Sequence, residues 1–161
     1  AELYYYLGSL SEEKEAYADA VRWLSEGLEK APNDVKMHFR LGLLTDGLAS
    51  VQRSKIAALA LTDVFEHVVV SDEHQMSNPD ERLYEMVEQA FDLPPQQLVY
   101  VGDNPHKDFL GARRRGWHTL RVMSGEHADS IAPGAAYDAD HACRSVPDIE
   151  QIVAARVQGV P

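Results

Sequence analysis

"VYVGDNPHKDFLGARRRGWHTLRV", residues 99–122, packs a strand, a turn, a helix and a second strand into one run. With Gln97 and Leu98 ahead of it, the apolar stretch at 97–103 has strand composition, and Gly102 allows a tight turn at its end. The helix follows over 106–116 and "HTLRVM" (118–123) is again strand-like. Working outward, "FRLGLLT" (39–45) and "EHVVVS" (66–71) read as strands, with a helix over "VQRSKIAALAL" (51–61) between them. "PDERLYEMVEQAF" (79–91) is a helix with Leu83, Met86, Val87, Ala90 and Phe91 facing in. An earlier helix spans 11–30, with Tyr17, Ala20, Val21, Leu24 and Leu28 on one stripe, and "APND" (31–34) breaks it. Residues 124–142 read as loop and "VPDIEQIVAARV" (146–157) as a closing helix. Continuous apolar strands alternating with helices imply an α/β fold: a parallel sheet with helices on both faces. No internal repeat or low-complexity segment interrupts it.

At 161 residues the chain is expected to be a single domain over 1–161. A net charge of −11 is repelled by phosphate backbones and anionic lipid, which argues against nucleic acid and membrane surfaces as partners. No apolar run approaches the ~18 residues of a membrane span. The N-terminal residues lack the pattern of a signal peptide. Cys143 is alone, which excludes an internal disulfide and suits the cytoplasm.

In such sheets ligands bind beyond the carboxyl ends of the strands. That rule selects Thr45–Gly47, Ser71–His74, Gly102–Asp108 and Met123–Gly125. In "LGLLTDG" (41–47) a buried strand ends in a hydroxyl and a turn, a usual place to hold an anion. The Thr45 hydroxyl and the N–H groups of Asp46 and Gly47 would form a nest for phosphate; alternatively, Thr45 only caps the helix beginning near Ala49. Asp103 and Asp108 fall close together at the sheet's rim. Two carboxylates in one cleft repel unless a cation sits between them, and Mg²⁺ takes such oxygen ligands. The competing reading makes Asp103 a helix cap and Asp108 a first-turn acid facing the helix dipole.

These segments together, from about Tyr17 to Val153, resemble the haloacid dehalogenase superfamily of phosphohydrolases, in its order and spacing. The resemblance is closest to the phosphatase branch found alone or fused to ATP-grasp domains. It implies a Rossmann-like, three-layer sheet of order 5-4-1-2-3, and phosphoryl transfer to an aspartate followed by hydrolysis, with Mg²⁺. Thr45 matches the hydroxyl that binds the transferring phosphoryl oxygen. Asp103 matches the acid that holds Mg²⁺, and Asp108 the second acid of that motif. In the family the metal also takes a carboxylate oxygen from the nucleophile and a carbonyl two residues later.

Two family elements are missing. No D-x-D-G-T/S nucleophile motif occurs in the chain; "YDADH" (137–141) has the acids but follows the last expected strand, and Asp140-His141 reads as loop. The lysine that screens phosphate is replaced by Asn78, which with Pro79 makes a good N-cap and N1 pair. Two accounts of the nucleophile compete. In one the chain is a piece of a longer protein, and residues 1–16 are the remnant of a cap. In the other "LYYYLGSL" (3–10) is a degenerate first strand, with Tyr5 in the nucleophile's place and Leu7 in that of the general acid/base. Strand pairing favours the second, because the middle of the sheet needs an occupant. Ser9 with Glu12 forms a capping box under either.

Arg113–Arg115 reads as a solvated face, and the seven histidines show no metal-ligand spacing. Trp23 and Trp117 are expected at helix–sheet contacts. The function expected is therefore that of a Mg²⁺-dependent phosphatase-family domain, inactive as written for want of its nucleophile, with Mg²⁺ weak or absent. The alternative is a non-catalytic module on the same fold that binds a phosphorylated small molecule or a protein partner. Neither the substrate nor the oligomeric state is legible.

Overall fold

The computed structural model describes residues 40–144, the backbone of 4–8, and residues 148, 149 and 152. The helix expected over 11–30 lies outside them, as do Trp23 and most of the closing helix. In the described part, β1 (Tyr4–Gly8), β2 (Leu41–Thr45), β3 (His67–Val70), β4 (Leu98–Gly102), β5 (His118–Val122) and β6 (His141–Cys143) form one sheet. Helices α1 (Ala49–Ala58), α2 (Glu81–Phe91) and α3 (Phe109–Arg115) connect them. The strand order is β3-β2-β1-β4-β5-β6 and every pairing is parallel. The five-strand order implied by the resemblance is present, with β6 added outside β5.

Alternation along the strands explains the three layers. Leu41 and Leu43, Val99 and Val101, and Leu120 and Val122 turn to one face, where Ile56 of α1, Leu61, Phe65 and Ile149 cover them. Leu44, Leu98 and Tyr100 turn to the other, against Leu83, Tyr84, Val87 and Phe91 of α2, Phe109 and Ala112 of α3, and Trp117. β2 and β4 thus bury both faces, which is why they read as continuous apolar runs. Tyr84 meets Tyr100 and Trp117 edge-on, with ring centroids 5.4 and 5.5 Å apart. Trp117 stands at the expected helix–sheet contact. On α2, however, Ala90 is exposed and Tyr84 takes the buried position.

Three local expectations are corrected. The N-cap of α2 is Asp80, whose carboxylate accepts the Arg82 N–H at 3.0 Å; Asn78 stands two residues earlier, before a cis peptide to Pro79. Residues 141 and 142, expected as loop, form with Cys143 the strand β6, three residues and too short to display a period. The Asp140 carboxylate accepts both the N–H and the hydroxyl of Thr119 at 2.9 Å, joining the start of β5 to the residues before β6. The arginine run is not simply solvated: Arg113 pairs with Asp140, Arg114 with Glu81 and Arg115 with Glu88.

Candidate functional site

The carboxyl edge of β2, β1 and β4 brings Thr45, Asp46 and Gly47 to one side of β1, and Gly102, Asp103 and Asp108 to the other. Tyr5 does not reach that edge. It is level with Leu41 and Val99, while the edge begins at Thr45 and Asp103. Four steps at ~3.3 Å each put it about 13 Å short. Leu7 is level with Leu43 and Val101, two steps short. Residues 9–39 lie outside the described ones.

Thr45 ends β2 at 1% exposure, and its hydroxyl donates to Gln52 Oε1 of α1 at 2.9 Å. Gln52 Nε2 in turn donates to the Asp46 carbonyl at 3.1 Å. Gly47 adopts φ +124°, and a Cβ there would meet Gln52 Nε2 at 2.9 Å, so the turn and the glutamine are built for each other. The Gly47 N–H donates to Ser71 Oγ at 3.2 Å, and the Ser71 hydroxyl donates to Asp46 Oδ1 at 2.6 Å. Of the three groups expected to cradle an anion, two already have partners within the protein. Thr45 does not cap α1; that helix takes its acceptor from Asp72, whose Oδ2 receives the Ala49 N–H at 2.9 Å. Asn78 borders the same turn, its N–H facing Asp46 Oδ1 at 3.4 Å. Both polar atoms of its side-chain amide are buried with no hydrogen-bond partner among the described residues.

Across the cleft, Asp108 is fully buried, and its Oδ2 accepts the N–H groups of Asp103 at 3.1 Å and Asn104 at 2.8 Å. Gly102 permits this: a Cβ there would come within 2.6 Å of Asp108 Oδ2. Burial raises the Asp108 carboxyl to about 7, and the nearby charge of Asp103 adds to the rise, while the backbone amides oppose it. Asp108 Oδ1 is buried without a hydrogen-bond partner among the described residues. A buried, unpartnered carboxylate oxygen beside a second carboxylate fits a hard divalent cation. The fit is partial, because no cluster of three His, Cys, Asp or Glu side chains is arranged to hold a metal among the described residues. Asn104 accepts the His106 N–H through Oδ1 at 2.9 Å, and its Nδ2 meets His127 Nε2 at 3.1 Å. Arg121, 6% exposed, donates to the carbonyls of His127 and Ser130 and pins the loop after β5.

Sequence reasoning missed Gln52 and His127; it selected the strand end Ser71–His74 but not the bonds that Ser71 and Asp72 make to the turn after β2 and to α1. Gln52 left one trace: with Ile56 it makes up the buried face of α1, an amide on an otherwise apolar position. The partners of the others are distant in sequence, and no local pattern marks them.

The family model described as haloacid dehalogenase-like hydrolase matches residues 11–122. The chain belongs to that family. It is 35% identical over 94 residues to a glyceraldehyde 3-phosphate phosphatase of Methanopyrus kandleri, covering 58% of this chain and 40% of that protein. It is also 35% identical over 109 residues to a phosphoserine phosphatase of Thermus thermophilus, covering 68% of this chain and 41% of that protein. The chain therefore spans less than half the length of these relatives. An L-2-haloacid dehalogenase structure superposes with a TM-score of 0.67 at 20% identity, over 91% of this chain and 57% of that one. In the described residues no helix is long and apolar enough to cross a membrane.

Proposed function

We propose that this edge is the phosphate-ester site of a Mg²⁺-dependent phosphatase and that the 161-residue chain, as it stands, does not turn over. The observation that carries the site is the placement of Thr45–Gly47 and Gly102–Asp108 on either side of β1 at one sheet edge. The relatives named for phosphoserine and glyceraldehyde 3-phosphate act on small phosphate monoesters, which supports that substrate class. Asp103 and Asp108 would hold the Mg²⁺, which supplies neutralisation of phosphoryl charge. The chain contains no D-x-D-G-T motif. Leu7 carries no acid or base, and Tyr5 lies off the edge, so neither replaces a carboxylate nucleophile.

Adding phosphoserine and Mg²⁺ while following amide chemical shifts tests the reading. Shifts at residues 45–47 and 102–104 without release of phosphate are expected. No shift at either turn overturns the site, and hydrolysis that disappears in Asp103→Ala overturns the inactivity.

The commitment of the Thr45 hydroxyl to Gln52 favours a second reading, a non-catalytic module that binds a phosphorylated ligand or a protein partner. Its mark would be saturable binding of a phosphorylated ligand that Mg²⁺ leaves unchanged.

A further inference from the structure

The turn after β4 is organised around Asn104. Its N–H donates to Asp108 Oδ2 at 2.8 Å, and its carbonyl accepts the Lys107 and Asp108 N–H groups at 3.3 and 3.0 Å. Its side-chain Oδ1 accepts the His106 N–H at 2.9 Å. These bonds all close inside the turn. Nδ2 reaches out of it, to His127 Nε2 at 3.1 Å. The His106 bond fixes the sense of that contact. Turned over, the amide would set its Nδ2 hydrogens against the His106 N–H, two donors in contact. Nδ2 therefore donates, and His127 Nε2 must accept. The ring is neutral, with its hydrogen on Nδ1, which faces Ser130 Oγ at 3.4 Å.

His127 is itself held from below. Arg121 lies level with Gly102, the last residue of β4, and its buried guanidinium donates to the carbonyls of His127 and Ser130 at 2.8 and 2.7 Å. The Ser130 N–H returns to the His127 carbonyl at 3.1 Å. The support runs from β5, through the loop that follows it, to the turn that carries Asp103.

We propose that His127 is a positioning residue for this acid turn: its neutral ring accepts the Asn104 amide hydrogen and ties the turn to the loop after β5. This rests on the reading of Asp103 as a cation ligand and deepens it, because the turn's hold on a divalent cation is then set by a ring that acts through Asn104. Groups that bond directly to a metal ligand change metal affinity by about 10–100-fold when lost. Here the bond goes to the ligand's neighbour, so a smaller effect is expected.

The probe is Mg²⁺, titrated into the wild-type chain, His127→Phe and His127→Gln, and followed by the amide shifts of Asp103 and Asn104. Phenylalanine fills the ring's place without an acceptor, whereas glutamine returns an oxygen near the position of Nε2. His127→Phe is expected to weaken Mg²⁺ binding roughly three- to tenfold, and His127→Gln to stay within about twofold of the wild type. In the metal-free wild type the imidazole nitrogen shifts should show a hydrogen on Nδ1 and none on Nε2, a readout that needs no variant. Equal Mg²⁺ affinities in the two variants, or a hydrogen on Nε2 in the wild type, overturn the positioning role alone. No Mg²⁺ shift at Asp103 and Asn104 in any of these proteins overturns it together with the reading of Asp103 as a cation ligand.

Discussion

Asp108 Oδ2 accepts the Asn104 N–H at 2.8 Å, closing the turn after β4 with a carboxylate that is fully buried. The turn needs an acceptor; burial penalises the charge. Because the folded carboxyl is raised from its ordinary 3.8 to about 7, the native state binds the extra proton between those values. Stability should then fall as pH rises from about 4 to about 7 and change little beyond. Asp108→Asn keeps an acceptor and removes the charge. It should flatten that slope and leave stability at pH 7.5 equal or higher, whereas Asp108→Ala should lose ~2–3 kcal/mol. Urea unfolding at pH 5 and 7.5 checks both; equal losses in the two variants would mean that the charge itself holds the turn.

Gly102→Ala tests the same closure from the other side. The added methyl carbon would lie 2.6 Å from Asp108 Oδ2 and 3.0 Å from its Cβ. Asp108 is enclosed by the turn it holds, so relief requires the turn to open. A loss of ~1–3 kcal/mol is expected, the range for overpacking a filled interior. Because the clash falls on Asp108, Gly102→Ala combined with Asp108→Ala should cost less than the sum of the two, which a double-mutant cycle in urea measures.

What was legible in the sequence followed from burial pattern. The strands at 41–45, 67–70 and 98–102 carry apolar side chains to both faces, and that fixes a covered parallel sheet. The ends of those strands located the turns. The partners inside each turn were not legible. Thr45 was expected to serve a ligand, yet its hydrogen goes to Gln52, an ordinary helix residue in sequence terms. Asn78 reads as a cap by residue type, but Asp80 caps α2, since both types are good N-caps and only the chain's path selects one. β6 offers three residues, and its pairing with β5 is decided by contacts made elsewhere.

Asp140 sits among those contacts. Its Oδ2 accepts the N–H and hydroxyl of Thr119, its Oδ1 receives Arg113 at 3.0 Å, and its own N–H donates to Thr119 Oγ1 at 2.9 Å. Asp140→Ala removes the carboxylate and leaves the Thr119 N–H without its acceptor. The cost should be ~2–3 kcal/mol, and Thr119→Val, which keeps the N–H bond, should cost less. Hydrogen exchange at β6 separates a local effect from a global one. Faster exchange confined to 141–143 would mean that Asp140 holds the edge strand and little else.

The metal prediction follows from the donors. Asp103 and Asp108 are two carboxylates, one of them with an oxygen already committed to backbone amides. Mg²⁺ gives up its water reluctantly and wants six oxygens in octahedral array, so binding should be on the order of millimolar or weaker. The charge on Asp103 also helps keep Asp108 protonated, and a cation must displace that proton. Apparent affinity should therefore rise between pH 6 and 8, and the rise should vanish in Asp108→Asn. Asp103→Asn should abolish binding while leaving the fold intact, since Asp103 lies at the rim and is only partly buried. Calorimetric titration of Mg²⁺ at pH 6 and 8 decides the matter. Tight one-to-one binding that survives Asp103→Asn would show that the metal is held by other residues.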